Sequence, residues 1–155
     1  MDNAKKAALA AIDEKNKLIA EVADSIWDYA ELSMQEVKSA ALFVKVLKDE
    51  GFQVEEGICG IPTAFSASYG SGKPVIGFLA EYDALPGYGP NGDQNGHACG
   101  HNWIAASTFA ACVALKELKE QMGFPGRIVY MGTPAEETTS GKITLIDRGA
   151  FRDID

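Results

Sequence analysis

Apolar residues in the first thirty positions recur at helical rather than strand spacing. Ala7, Ala11, Leu18, Val22, Ile26 and Tyr29 fall near one face, with Lys, Glu and Asp between them. That spacing predicts one long helix over residues 4 to about 31, with Trp27 placed to anchor it on the rest of the fold. Ser33, followed three residues later by Glu36, has the form of a capping box. It predicts a second helix whose apolar side is Ala40, Leu42, Phe43, Val46 and Leu47 and which Gly51 stops.

After Gly51 the pattern changes. Phe52 to Glu56 and Thr63 to Tyr69 read as short strands, and Pro74 to Leu79 is a nearly continuous apolar run, the mark of a central strand covered on both faces. The segment Tyr69-Gly70-Ser71-Gly72-Lys73-Pro74 predicts a hairpin turn. Gly70 to Lys73 lacks the spacing of a phosphate loop, and no helix follows. Residues 86 to 98, rich in Gly, Pro, Asn and Asp, form a loop. Asn102 to about Met122 predicts a helix with a buried stripe of Ile104, Thr108, Cys112, Leu115 and Leu118, stopped by Gly123. Arg127 to Gly132 is a further buried strand, and Ser140 caps a short helix running to about Arg148. The alternation predicts an α/β domain with helices on both faces of a sheet. In such sheets ligands bind where loops diverge from strand ends.

Composition narrows the class. The 155 residues are enough for one domain with a substantial core. Fourteen basic and 22 acidic residues give a net charge of −8, which argues against nucleic acid or an anionic membrane as partner. No apolar run approaches the length of a membrane span. Met1-Asp2-Asn3-Ala4-Lys5-Lys6 leads into a charged helical pattern rather than a leader peptide. Three widely spaced cysteines make no disulfide framework. A cytoplasmic protein is the expectation.

The chemistry concentrates in two segments. Gly96-His97-Ala98-Cys99-Gly100-His101-Asn102 holds both histidines of the chain and one of its three cysteines; Pro134-Ala135-Glu136-Glu137 adds adjacent carboxylates. Thiolate, imidazole and carboxylate are the donors of catalytic zinc and manganese sites, and a spare carboxylate beside them suits a general base. Cys59 and Cys112 read as small buried hydrophobes. Cys99 has no partner at Cys-x-x-Cys spacing, which disfavours a redox thiol. Asp83, Cys99, His101, Glu136 and Glu137 all follow strands or open a helix, so the fold class brings them towards one end of the sheet.

With Ile26-Trp27-Asp28, Gly72-Lys73-Pro74-Val75-Ile76, Glu81-Tyr82-Asp83-Ala84-Leu85 and Ser140-Gly141-Lys142 in the same order, the chain resembles the amidohydrolase branch of the aminoacylase/carboxypeptidase family of dinuclear zinc hydrolases. Within that branch it resembles the p-aminobenzoyl-glutamate hydrolase type. The resemblance implies a three-layer α/β/α sandwich of the zinc-peptidase type. It implies Cys99, His101 and Glu137 as metal ligands, Glu136 as the general base that activates water, and Asp83 beside the metal. Glu81 falls where related peptidases carry a metal-binding histidine, and His97 is implied to be a supporting residue. Arg127 and Lys142 are expected on the surface. The implied cofactor is a divalent metal, zinc or manganese, with two ions per complete enzyme. The implied substrate is a small amide: an N-acyl amino acid, a dipeptide or p-aminobenzoyl-glutamate. Family members run to roughly 400 residues or more, so residues 1–155 are expected to form the N-terminal part of a catalytic domain, without the lid and dimerisation domain. The chain alone is expected to lack activity, and to self-associate into a homo-oligomer through an unpaired sheet edge. The alternative reading is a non-catalytic α/β module with an incomplete metal site.

Overall fold

The computed structural model describes residues 3–155; the reading of Met1 and Asp2 lies outside them. Among the described residues, five α-helices and four strands follow in the order α1 (Asn3–Glu14), α2 (Asn16–Tyr29), α3 (Val37–Asp49), β1 (Gln53–Glu56), β2 (Phe65–Ser71), β3 (Val75–Ala80), α4 (His101–Met122), β4 (Gly126–Gly132) and α5 (Gly141–Asp147). The sheet order is β1-β2-β4-β3. β1 and β2 are antiparallel, β2 and β4 are antiparallel, and β3 and β4 are parallel. The last of the four strands in sequence is therefore inserted between two earlier ones.

That insertion explains how both apolar faces of β4 are used. Ile128 and Tyr130 point into a large cluster with α2, α3 and α4. Val129 and Met131 point into a smaller one with Val75, Ile58, Ile61 and Leu145 of α5. Helices thus cover both faces, as the alternation of elements predicted. In the larger cluster Phe43 of α3 is fully buried, with ring centroids 5.5 Å from Tyr130, 5.8 Å from Tyr82, 6.1 Å from Phe65 and 6.3 Å from Phe109. Full burial of a side chain of this size stabilises by about 1.5–3 kcal/mol.

Several expectations are corrected. The first helix is two, broken at Lys15, whose ψ of 5° leaves the helical range. Its ammonium lies 2.5 Å from the buried carboxylate of Glu50, and both helices still lie along α4. Ile26 anchors α2, whereas Trp27 is 48% exposed. The predicted capping box does not form. The Glu31 carboxylate accepts from the first amides of α3, Lys38 N and Ser39 N, each at 2.9 Å, while Ser33 and Glu36 bond elsewhere. The turn at Gly70–Lys73 is no hairpin, because β4 separates β2 from β3. β3 is not central either among the described residues. Its apolar run touches packing on both faces but pairs along one edge only, leaving Ile76 41% and Leu79 38% exposed. At its start, Asp155 accepts from Val75 N at 2.9 Å and donates its own N–H to Val75 O at 3.0 Å.

Helix α4 follows its expected span, but its buried stripe shifts. Ala105, Ala106, Phe109, Cys112 and Val113 are buried, while Ile104 is partly exposed. α4 lies between the sheet and the pair α1 and α2, and alanines permit that two-sided approach. Gly123, at φ 68°, ends it. Ser140 precedes α5 in a left-handed conformation but makes no side-chain cap. Cys112 is buried as expected, and Cys59 is half-buried.

Candidate active site and metal centre

β3 and β4 end side by side, and the chain leaving each carries carboxylates. Thr133 donates its N–H and its hydroxyl to Ala80 O at 2.8 and 3.0 Å, which locks the two ends together. After Ala80, Tyr82 sinks its ring into the core and donates its hydroxyl to Thr63 O at 2.6 Å. Glu81 and Asp83, on either side of it, both reach the ring of His101, the first residue of α4.

His101 Nδ1 lies 2.9 Å from Asp83 O and 3.1 Å from Asp83 Oδ1. Both are acceptors, so Nδ1 carries a proton, and Nε2 faces outward, where its lone pair is open to a metal when the ring is neutral. Nε2 lies 3.3 Å from Glu81 Oε2 and 3.7 Å from both Glu136 Oε2 and Glu137 Oε1. Donor atoms of His101, Glu136 and Glu137 all fall within 4.8 Å of one another. The Cys99 thiol is exposed, and the Glu137 carboxylate near it raises its pKa. It lies beside the triple rather than within it. Glu136 is the open member, with its side chain 42% exposed against 13% for Glu137.

Four carboxylates, those of Glu81, Asp83, Glu136 and Glu137, surround one imidazole. The only ammonium paired with them among the described residues is Lys142, bonded to Glu81. Lys142 is thus an edge residue of the site, not a free surface lysine as expected. The excess of negative charge is a setting that a divalent cation relieves, and imidazole with carboxylate and thiol is a donor set that zinc or manganese accepts. His97 faces elsewhere: its Nε2 lies 2.9 Å from Ile26 O of α2 and its ring lies against Trp27. Arg127 lies on β4 at the opposite end from the cluster.

Asp83 is the organiser. Fully buried, it also accepts from Ser33 Oγ at 2.7 Å and from Glu137 N at 3.0 Å. Burial pushes its carboxyl up, but the bonds from His101, Glu137 N and Ser33 outweigh this and hold it at about 2. For His101, burial pushes the ring down, and Asp83 reverses this and raises it above its usual value. The metal-free protein is therefore expected to lose stability in two directions. The Asp83 contribution, on the order of 2 kcal/mol for a fall from 3.8 to about 2, is present above pH 3.8 and disappears as the pH falls towards 2. The His101 contribution is full below about pH 6.5 and disappears as the pH rises through its raised value. Urea midpoints against pH check this, and both limbs should flatten in Asp83→Asn. A profile unchanged by that substitution refutes the pairing.

Glu81, which the resemblance set at a position where related peptidases carry a metal-binding histidine, lies nearest to Nε2. One feature lay outside the sequence reading. Glu36 touches the loop of Glu136 from 99 residues away, and no local pattern announces that.

A fold whose parallel strands end on such a cluster defines a class of metallohydrolase scaffold. The chain belongs to peptidase family M20/M25/M40, whose family model matches residues 77–155. Among curated relatives it is 39% identical to a p-aminobenzoyl-glutamate hydrolase polypeptide of Escherichia coli, over 94% of this chain and 32% of that protein. It is 34% identical to the Xaa-Arg dipeptidase of Mus musculus, over 97% of this chain and 36% of that protein. The chain therefore spans about a third of the length of these relatives. Its fold matches the Bacillus subtilis YXEP protein, a dinuclear metal-binding peptidase of the M20 family. The TM-score is 0.76 at 23% identity, over 92% of this chain and 42% of that one. The family and the incomplete α/β/α fold agree with what the motifs implied.

Proposed function

We propose that these residues form the N-terminal part of a metal-dependent amidohydrolase acting on small amides: N-acyl amino acids, dipeptides or p-aminobenzoyl-glutamate. The observation that carries this reading is the meeting of His101 Nε2 with the carboxylates of Glu136 and Glu137, with Asp83 fixing the opposite ring nitrogen. His101, Glu137 and Cys99 would hold the metal. Asp83 orients two of these three, His101 through its ring and Glu137 through its backbone. A zinc or manganese ion bound there would supply positive charge to acidify a water and polarise the amide carbonyl. Glu136, the exposed carboxylate of the pair, takes a proton from the attacking water and returns it to the leaving amine. His101 is the only histidine facing the cluster among the described residues, so the second ion of a complete enzyme takes its other ligands from outside this segment. Residues 1–155 alone are accordingly expected to show no turnover.

The test is binding of Co²⁺ as a spectroscopic stand-in for zinc, followed by visible absorption and calorimetry, with amidase assays on the same samples. Expected are one ion per chain, loss of binding in His101→Ala, and loss of the sulfur-to-metal charge-transfer band in Cys99→Ser. Binding that survives His101→Ala, or no binding at all, leaves a non-catalytic α/β module as the better reading.

A further inference from the structure

Glu36 is a carboxylate with no exposure to solvent, at the residue before α3. Burying a charge is costly unless every lone pair is matched, and here the matches come from separate parts of the chain. Oε1 accepts from Ala135 N at 2.8 Å and Oε2 from Thr63 Oγ1 at 3.0 Å. Thr63 is in turn held by the Tyr82 hydroxyl.

The residue it grips is unusual. Ala135 has φ 60°, a left-handed conformation that L residues avoid. Its carbonyl is held as well, by Gly141 N at 2.9 Å. A side chain at position 141 would collide with the Pro134 carbonyl, so glycine is required for that return. On the other flank, Asp83 holds Glu137 N. The amides on both sides of Glu136 are thus each clasped by a buried carboxylate.

We infer that Glu36 is a positioning residue: by gripping Ala135 N it fixes the left-handed turn that aims Glu136 and Glu137 at His101. It touches neither metal nor substrate and acts through the backbone. The inference rests on the proposed function for its purpose, but its geometry is separately measurable.

The experiment uses the 155-residue chain and reads amide exchange by NMR together with Co²⁺ affinity, in Glu36→Ala, Glu36→Gln and Thr63→Val. In Glu36→Ala, exchange at Ala135, Glu136 and Glu137 should rise about tenfold or more while β4 amides stay unchanged. Co²⁺ should bind about 10–100-fold more weakly, the usual effect of losing a group that orients ligands. Glu36→Gln keeps the oxygen that Ala135 needs and should stay within about threefold of the wild type. If Glu36→Ala fails to fold, Thr63→Val, which removes only the second contact, should still loosen Ala135 selectively. Unchanged exchange at Ala135, or an equal rise across β4, overturns the inference. A wild type that takes up no Co²⁺ while Ala135 loosens as stated defeats the metal reading and leaves the positioning role standing.

Discussion

Glu136→Gln is expected to leave metal affinity nearly intact and to lower amide hydrolysis by about 10²–10⁴-fold in a protein carrying the whole catalytic domain. Glutamine fills the same volume and cannot accept a proton. Glu137→Gln is expected to do the opposite at the first step, weakening the metal. The reasoning is positional. Both carboxylates lie 3.7 Å from His101 Nε2, so distance does not separate them. Glu137 is shielded and tied through its backbone to Asp83, and its carboxylate raises the pKa of the Cys99 thiol. Glu136 faces solvent, where water and substrate arrive. Metal content and kcat measured on both variants decide the matter. If Glu136→Gln strips the metal and Glu137→Gln does not, the roles are exchanged.

The second large effect concerns stability. Phe43→Ala is expected to cost about 3–5 kcal/mol, the usual range for deleting a buried aromatic ring. Phe43 lies where α3 meets β2, β4 and α4, and its four ring neighbours come from different segments. Two of them, Tyr82 and Tyr130, donate hydroxyls to Thr63 O and Ala105 O, so they are not free to swing into the cavity. At roughly 2–4 °C per kcal/mol for a domain of this size, the melting midpoint should fall by roughly 6–20 °C. Thermal unfolding followed by circular dichroism is the measurement. A fall under about 1 kcal/mol would mean that the aromatic cluster repacks freely.

What was legible in the sequence had a local signature. Periodicity and Gly123 delimited α4, apolar runs marked β3 and β4, and the segments after them held the residues that now surround His101. What was missed depends on partners far along the chain. The break at Lys15 has no glycine or proline to announce it. Ser33 and Glu36 matched a capping box, but Glu31 was a third acceptor within reach and took the amides, leaving Ser33 for Asp83 and Glu36 for Ala135. The apolar run of β3 reported that both faces are covered. It carried no information on edges, which depend on strand order. In α4 the large residues drew the stripe towards Ile104, whereas burial followed the alanines that allow close packing.

The strand order also has a meaning in time. β4, which joins β2 to β3, is the last of these four strands to be made, and 52 residues separate Gly132 from the end of β3 at Ala80. At roughly 5–20 residues per second, a ribosome needs about 3–10 s to add them. Throughout that interval the β1–β2 hairpin and β3 have no common neighbour, and the slot that Ile128 and Tyr130 will fill stands open. Assembly of the sheet, and with it the meeting of Asp83 with Glu137, waits for one late strand to slide into place.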